Sequence, residues 1–133
     1  MRFLNTEHEK KLMELVQKDG THPKDKERIS LFYILSGNHD LYAKSRSIYD
    51  FGLHQIIPDC LNGGSVDFCS SSRALIRLGY NLYNSYQDSE TSPIHILSGL
   101  DEENYILATE SFGVRFGHSY QVQSTLDDDE VEL

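Results

Sequence analysis

Four residues of this chain have side chains, and an order along the sequence, that suit divalent-metal chemistry: His22, His39, Asp40 and Asp101. Histidine nitrogens and carboxylate oxygens can hold a divalent ion that activates water for attack on a phosphoester. However, the His39-Asp40 pair follows a glycine in a predicted corner, where an aspartate is favoured as a helix cap. Asp101 has the same competing role. The pattern therefore favours caps and surface histidines over a metal site.

A second candidate site is a polar stripe along one predicted helix. Arg73, Arg77, Tyr80 and Asn84 lie at i, i+4, i+7 and i+11, so they share one helix face. The preceding Ser70-Ser71-Ser72 adds hydroxyl groups at the helix N-terminus, where an anion or a protein partner could bind. We predict Arg73, Arg77 and Tyr80 as partner contacts, with Asn84 on the same face. The alternative is the ordinary solvent-exposed face of an amphipathic helix.

The charge balance limits the classes of partner. The chain has 133 residues and a formal net charge of −9. Its last sixteen residues, 118–133, contain five acidic residues and no Lys or Arg. The cluster Asp127, Asp128, Asp129 and Glu130 either solvates a terminus or imitates the charge of nucleic acid on a basic groove. Because such a surface repels phosphate backbones and anionic lipids, we expect no direct nucleic-acid or membrane binding.

Two copies of the tetrapeptide Ile-Leu-Ser-Gly, at residues 34–37 and 96–99, are the clearest architectural signal. Glycine adopts the left-handed conformation that ends a helix at little steric cost. An aspartate follows each copy, Asp40 in the first case and Asp101 in the second, in a position to cap the next helix. The two copies therefore predict two helix–glycine–helix corners.

The spacing of apolar residues predicts five or six helices. The first starts at the capping box Thr6-x-x-Glu9 and ends at Gly20. The others run from about Asp25 to Ser36, from Asp40 to about Tyr49, from the serines at 70–72 to near Tyr86, briefly after Ser92-Pro93, and from Asp101 to about Phe112 with Tyr105, Ala108 and Phe112 at helical spacing. No strand alternation persists long enough to build a sheet. We expect an all-α fold, a compact single-domain bundle of residues 1–117 with short Gly-containing corners, followed by a disordered acidic tail of residues 118–133.

The composition favours an intracellular protein without a cofactor. No stretch approaches the length of a membrane span, and the N-terminus lacks the apolar run of a signal peptide. Cys60 and Cys69 are the two cysteines, and a cytoplasmic chain would keep both as buried or half-buried thiols. No recognisable catalytic signature surrounds either cysteine. We therefore expect a cytoplasmic, non-enzymatic protein.

Several segments together carry a family resemblance. They are Thr21-His22-Pro23, the run from Leu31 to Gly37, Asp40-Leu41-Tyr42, Ile48-Tyr49-Asp50, Val66-Asp67-Phe68, Ser70-Ser71-Ser72-Arg73, Leu82-Tyr83-Asn84 and Leu97-Ser98-Gly99-Leu100-Asp101. They resemble a family of small uncharacterised proteins from Gram-positive bacteria and their phages or mobile elements. The resemblance covers residues 5–117 and implies one intracellular domain in a phage or mobile-element setting. It assigns no activity and no functional residue.

These observations lead to one expected function and two alternatives. We expect a non-enzymatic protein-binding module, acting as an inhibitor or modulator of a nucleic-acid-handling system, with partner identity and oligomeric state left open. The first alternative is a metal-dependent phosphohydrolase, because the order His22, His39-Asp40, Asp101 is similar to the metal site of the all-helical HD phosphohydrolases. The second is a helix-turn-helix DNA-binding regulator, suggested by the short glycine corners. It would need a basic recognition helix, and the helices after Gly37 and Gly99 are not basic.

Overall fold

The computed structural model describes residues 1–118, and this part of the chain is mostly helical. Its α-helices are α1 (Thr6–Asp19), α2 (Lys26–Ser36), α3 (His39–Ala43), α4 (Ser45–Ile48), α5 (Ser70–Asn84), α6 (Pro93–Leu97) and α7 (Glu102–Phe116). Two short strands, β1 (Tyr49–Asp50) and β2 (Gln55–Ile56), and a 3-10 helix (Pro58–Leu61) complete the described elements. The predicted helical class is confirmed for these residues. Beyond its first residue, His118, the predicted acidic tail falls outside the described residues.

Local capping signals locate several helix ends correctly. Asp25 precedes α2 and accepts a hydrogen bond from the backbone N–H of Arg28 at 3.0 Å. Asp101 caps α7 in the same way, accepting from the N–H of Asn104 at 2.9 Å. Gly20 ends α1 in the left-handed conformation, with φ of 71°. The predicted start of the second helix near Asp25, the predicted cap at Asp101 and the predicted end at Gly20 are confirmed, because each depends on interactions within one turn of chain.

Two predicted caps are wrong because a neighbouring residue takes the role. Asn5, not Thr6, caps α1, and its side chain accepts from the N–H of His8 at 2.8 Å. Asn38, not Asp40, caps α3 by accepting from the N–H of Leu41 at 3.0 Å. Asparagine and aspartate serve equally well as caps, so the chain outside the helix decides which one is used. Asp40 instead lies inside α3.

The predicted third helix is interrupted and gives way to a hairpin. It breaks at Lys44 into α3 and α4, and the backbone becomes extended at Tyr49. Strands β1 and β2 then pair antiparallel, with Tyr49 opposite Ile56. The side chain of Asp50 closes the turn by accepting from the N–H groups of Gly52 and Leu53, at 2.8 and 2.9 Å. The expectation that the chain forms no sheet is therefore wrong, although the sheet has only two residues per strand.

Helix α2 lies at the centre of the domain. Every residue from 29 to 36 is buried, and α1, α5 and α7 each pack against α2. A helix that is apolar on all faces belongs either in a core or in a membrane. None of the helices in residues 1–118 combines the length and apolar character needed to cross a bilayer. The surrounding helices therefore supply the apolar environment that α2 needs.

A buried histidine closes the C-terminal end of α2. His8 accepts from the backbone N–H of Leu4 through Nδ1 at 3.1 Å, so Nε2 carries the proton and donates to the carbonyl of Tyr33 at 2.9 Å. Burial lowers the pKa of His8, although the bond to Tyr33 opposes that shift, so the neutral ring is favoured. Ser36 also donates to the Tyr33 carbonyl, at 3.1 Å. A carbonyl left free by the end of the helix is thus satisfied inside the core.

The two Ile-Leu-Ser-Gly corners do not use glycine for a left-handed turn. Gly37 has φ of −92°, and Gly99 also lies outside the left-handed region. A Cβ atom on Gly37 would lie 2.3 Å from Leu107 Cδ1 and 2.9 Å from His8 Nε2. At Gly99 a Cβ atom would meet nothing within 4 Å. Gly37 is therefore needed for the close approach of α7 and α1 to the end of α2, whereas Gly99 has no comparable packing role.

This contrast predicts different effects of the same substitution in the two corners. Gly37→Ala should lower the free energy of unfolding by about 1–3 kcal/mol, because a methyl group must be forced against Leu107 and His8. Gly99→Ala should leave the free energy of unfolding unchanged or raise it by up to about 1 kcal/mol, because alanine reduces the conformational entropy of the unfolded chain. Urea titration followed by far-ultraviolet circular dichroism measures both. Equal midpoints for the two variants would contradict the packing role of Gly37.

Candidate functional site

The four predicted metal-ligating residues do not converge. His22 lies in the turn before α2, where its Nδ1 accepts from the N–H of Lys24 at 3.0 Å, whereas His39 opens α3 after the end of α2. The eleven residues of α2 separate these two histidines by about 16 Å of helix. Asp40 pairs with Lys44 at 2.9 Å, and Asp101 is occupied as the cap of α7. Within residues 1–118, no three His, Cys, Asp or Glu side chains form a group able to hold a metal ion.

The predicted polar stripe of α5 is wrong at Tyr80. Tyr80 is fully buried, and its hydroxyl donates to the carbonyl of Ile48 at 2.6 Å and lies 3.1 Å from that of Ile57. Burial, followed by the contact with Cys60, raises its pKa. The hydroxyl thus fastens α5 to the segment after α4 and cannot reach a partner. Polar character in tyrosine is compatible with a core position when the hydroxyl is hydrogen-bonded, which the spacing pattern does not reveal.

The two arginines of the stripe bond to other residues of this chain. Arg77 has a largely buried side chain and pairs with Asp88 at 2.8 Å. Burial of Asp88 opposes ionisation, but the hydrogen bond from Arg77 and those from the 90–91 segment lower its pKa to about 2. Arg73 donates to the carbonyl of Phe68. Both arginines line a cavity of about 150 Å³ together with Gly99 of the second corner.

The remaining predicted partner contacts are an asparagine and the acidic cluster. Asn84 is exposed at the last position of α5, and its side chain accepts from the N–H of Tyr86 at 3.1 Å. Asp127, Asp128, Asp129 and Glu130 lie outside the described residues. A partner-binding role for these positions therefore stays a prediction.

The two cysteines differ in exposure. Cys60 is buried, as expected, and its sulfur lies 3.3 Å from the hydroxyl of Tyr80. Cys69 is exposed at the start of α5, contrary to the prediction. Its contacts with the hydroxyl groups of Ser71 and Ser72 lower the pKa of its thiol to about 7. Both thiols are free.

A polar cluster that no sequence motif indicates lies around Asp19. This carboxylate ends α1 and is almost completely buried, with a side chain 1% exposed. It accepts from the hydroxyl of Thr21 at 2.6 Å and from the hydroxyl of Tyr49 at 2.8 Å, and it lies 2.7 Å from Nδ1 of His54. Asp19 therefore joins α1, the following turn, the first strand of the β1–β2 hairpin and the hairpin turn.

The surroundings of Asp19 favour its charged form. Burial by itself would raise the pKa, but hydrogen bonds from Thr21, His54 and Tyr49 and the charge of Arg28 lower it below the ordinary value. A buried carboxylate with several donors and a nearby cation is a stable arrangement, whereas the same carboxylate without them would be costly. The Asp19 carboxylate therefore stays ionised, and the hydrogen bonds that it accepts from its neighbours depend on this negative charge.

His54 is the member of this cluster that reaches the surface. Its side chain is about half exposed, and its backbone is held in the left-handed region at φ of 58°. Arg28 donates to the His54 carbonyl at 3.3 Å and so helps to hold this conformation. A carboxylate at Nδ1 fixes the tautomer of an imidazole and leaves Nε2 for proton transfer or metal binding. The members come from four separate segments, so no spacing motif in the sequence could have revealed them.

An exposed apolar stripe on α7 is the second feature that no sequence motif indicates. Tyr105, Phe112 and Phe116 lie at i, i+7 and i+11 and are 47%, 37% and 57% exposed, and the neighbouring Ile106 is 42% exposed. Together these four residues form what we call the α7 patch. The sequence placed Tyr105 and Phe112 in one helical pattern with Ala108, but only Ala108 is buried.

Packing at Gly37 explains why the patch faces outward. Leu107, Ala108 and Ser111 are the buried residues of α7, and Leu107 meets α2 where Gly37 leaves room. At about 100° per residue, Tyr105 lies roughly 200° around the helix from Leu107 and so points away from the core. The helix also continues through Gly113 to Phe116 instead of ending near Phe112, which lengthens the stripe by one turn.

The charge of Asp19 predicts a pH-dependent loss of stability. Asp19→Asn should lower the free energy of unfolding by about 2–4 kcal/mol at pH 7, because a buried acceptor is replaced by a group that donates. Since the native pKa of Asp19 is depressed, its stabilisation is present above about pH 4 and is lost as the pH falls through the native value. Urea unfolding of wild type and variant between pH 7 and pH 2 should show the difference narrowing with acid.

The exposed Asp59 supplies a matched control for this experiment. Asp59→Asn makes the same chemical change outside the cluster and should alter stability by less than about 0.5 kcal/mol. A difference between wild type and Asp19→Asn that stays constant down to pH 2 would contradict the charged state assigned to Asp19.

Comparison with known proteins gives a family without an assigned activity. No curated protein and no solved structure matches the chain. A family model described as a family of unknown function, DUF6075, matches residues 1–128, which is nearly the whole chain. That coverage includes every described helix and both features that the sequence motifs missed. The chain therefore belongs to the DUF6075 family of unknown function.

Proposed function

We propose that this protein is a non-catalytic protein-binding module and that the α7 patch is its contact surface. The observation that supports this function is the concentration of four exposed apolar side chains on one helix. Single exposed apolar residues are normal on a protein surface, but a contiguous group marks an interaction site. Three of the four are aromatic, and aromatic side chains are enriched in protein interfaces.

The size of the patch restricts the chemistry of the partner. An aromatic side chain buries about 150–250 Å², so the exposed fractions leave roughly 300–400 Å² of apolar area on the four residues. Covering that area stabilises a complex by roughly 8–10 kcal/mol, against association costs of about 4–15 kcal/mol. A purely polar partner surface would therefore not bind stably. The partner must contribute apolar area of its own.

Charge around the patch restricts the partner further. Asp101 and Glu102 are exposed at the N-terminal end of α7, four and three residues before Tyr105 and so on the same side of the helix. The whole chain has a net charge of −9, so it attracts positively charged surfaces over a distance. A partner surface that is apolar and bordered by basic side chains meets both requirements, the one for apolar area and the one for positive charge. Proteins that handle nucleic acid carry basic surfaces of this kind, which supports a role as modulator of such a partner.

Substitution within the α7 patch tests this function. In the double variant Phe112→Lys and Phe116→Lys, two charges replace apolar contacts without touching the buried residues of α7. Capture on the immobilised protein from a lysate of the source organism, quantified by mass spectrometry, should lose at least nine-tenths of any specific partner. The captured protein is then purified, and calorimetry should show direct binding to wild type that the variant weakens at least 100-fold.

A matched control changes two apolar residues elsewhere that are more exposed than Phe112 and Phe116. Leu53 and Ile94 are 68% and 71% exposed and lie outside α7. The double variant Leu53→Lys and Ile94→Lys should retain the partner at the wild-type level. If both double variants capture the same proteins as wild type, the α7 patch is not the contact surface.

A further inference from the structure

A groove beside α1 is large enough to hold a small molecule. It has a volume of about 530 Å³, within the range of small-molecule sites, which is about 300–1,000 Å³. Its lining consists of Glu14, Leu15 and Lys18 of α1, residues 42–47 of α3 and α4, and Val66. We call this surface the basic groove, because its charge differs from that of the rest of the chain.

The charge of the basic groove is opposite to that of the whole protein. Its lining contains three basic side chains, Lys18, Lys44 and Arg46, and one acidic side chain, Glu14. In the whole chain, by contrast, 21 acidic residues outnumber 12 basic ones. An excess of basic groups in one concave surface attracts anions to that surface. The groove therefore selects a negatively charged ligand.

Two of the three basic side chains are available to such a ligand. Lys44 is already occupied, because its Nζ pairs with Asp40 at 2.9 Å and donates to the carbonyl of Asp67 at 2.8 Å. Lys18 and Arg46 are exposed, and neither forms an ion pair within residues 1–118. Two free positive charges match a phosphate monoester, which carries about −1.5 to −2 at pH 7.

Tyr42 gives the groove an aromatic surface of fixed orientation. Its hydroxyl donates to the carboxylate of Glu14. That hydrogen bond, followed by burial, raises the pKa of Tyr42 to about 12, so the hydroxyl remains a donor at neutral pH. The ammonium group of Lys11 lies 4.9 Å from the centroid of the ring and adds positive charge beside the groove. Since nucleic-acid bases stack on aromatic side chains, the ring suits a planar heterocycle.

We propose that the basic groove binds a mononucleotide, with its phosphate held by Lys18 and Arg46 and its base against Tyr42. Ser45 and Ser47 also line the groove, and their hydroxyl groups can donate to phosphate or ribose oxygens. An inorganic phosphate ion would leave most of the 530 Å³ empty and would not use the aromatic ring. A mononucleotide combines the charge and the planar ring that the groove accommodates.

The basic groove and the α7 patch are separate surfaces, because the lining residues come from elements other than α7. Mononucleotide binding therefore goes beyond the proposed function and leaves it unchanged. Among the described residues that line the groove there is no histidine, and its one carboxylate is occupied by Tyr42. These side chains hold a ligand but provide neither an imidazole nor a free carboxylate for proton transfer. The bound mononucleotide is thus an effector of the module and not a substrate.

The net charge of the chain, −9, limits the ligand to a small anion. A polynucleotide would extend beyond the groove onto a surface with excess negative charge, which repels its other phosphates. A single phosphate group stays inside the groove, and exposed charges more than about 8 Å away are largely screened at physiological salt. A free mononucleotide is therefore compatible with a chain that does not bind nucleic acid.

Isothermal titration calorimetry of the full chain with the four ribonucleoside 5′-monophosphates tests the ligand directly. At least one of them should bind with a dissociation constant below about 1 mM. The corresponding nucleoside, which lacks the phosphate, and ribose 5-phosphate, which lacks the base, should each bind at least tenfold more weakly. A short 5′-phosphorylated single strand should also bind at least tenfold more weakly.

Three results of this titration would overturn the proposal. The first is that none of the four mononucleotides binds. The second is that ribose 5-phosphate binds as tightly as the mononucleotide, because the base then makes no contact. The third is that the single strand binds as tightly as the mononucleotide or more tightly, since the phosphate would then come from nucleic acid.

Substitutions of three side chains test the assigned contacts. Lys18→Gln and Arg46→Gln should each weaken binding of the mononucleotide about tenfold, because each removes a charge-assisted hydrogen bond to the phosphate. Glu14→Gln should tighten binding about threefold, because it removes the one negative charge in the groove. A gain in affinity does not result from misfolding, so unchanged or weaker binding by a folded Glu14→Gln variant contradicts the assigned position of the phosphate.

A matched control removes two positive charges outside the groove. Lys24→Gln with Lys26→Gln changes the net charge as much as Lys18→Gln with Arg46→Gln does, and both lysines are exposed. The control should bind the mononucleotide as wild type does, whereas the groove variant should show no measurable binding. Equal losses in the two double variants would indicate attraction by overall charge alone and would overturn the groove as the site. Far-ultraviolet circular dichroism confirms that each variant is folded.

One variant of the α7 patch separates the two proposals. Phe112→Lys with Phe116→Lys should bind the mononucleotide with wild-type affinity, because α7 does not line the groove. Loss of binding in this variant, with its fold retained, would overturn the placement of the ligand in the groove. If wild type binds no mononucleotide but still captures a partner through the α7 patch, the effector site is wrong and the proposed function stands.

Discussion

The burial of residues 29–36 of α2 is the constraint on which the rest of the domain depends. A helical stretch without a solvent-exposed face can exist only if other elements surround it and if its free polar groups find partners inside the protein. Helices α1, α5 and α7 provide the surroundings, and His8 and Ser36 satisfy the carbonyl of Tyr33. The position of every long helix is therefore set by the shape of one central element.

The extent to which the fold could be predicted follows the range of the interactions involved. Helix periodicity and the cap Asp101 act within a few residues; the periodicity located α2, and Asp101 located the start of α7. Where two neighbours could serve as a cap, as with Asn38 and Asp40, local chemistry did not decide between them. The hairpin after α4 is held by the contact of Tyr49 with Asp19 of α1 and by that of Ile48 with Tyr80 of α5, which a single segment does not encode.

The cluster around Asp19 and the α7 patch were harder to predict than the fold, because each depends on packing between segments that are distant in the sequence. Asp19, Tyr49 and His54 share no spacing pattern and meet only after α1 and the hairpin are in place. On α7, apolar residues occur on more than one side of the helix, so periodicity alone does not select the buried face. The fit of Leu107 against Gly37 makes that selection, and the outward position of the α7 patch is its consequence.

The two ends of the described domain meet on its surface. Met1 and Arg2 line the same groove as Gly117 and His118, and Arg2 pairs with Glu110 at 3.6 Å. Because so little distance remains to be closed, a short linker between these ends would cost little conformational entropy. The helical domain could therefore be inserted into a surface loop of another protein, or be circularly permuted with new ends in a different loop, without disturbing its core.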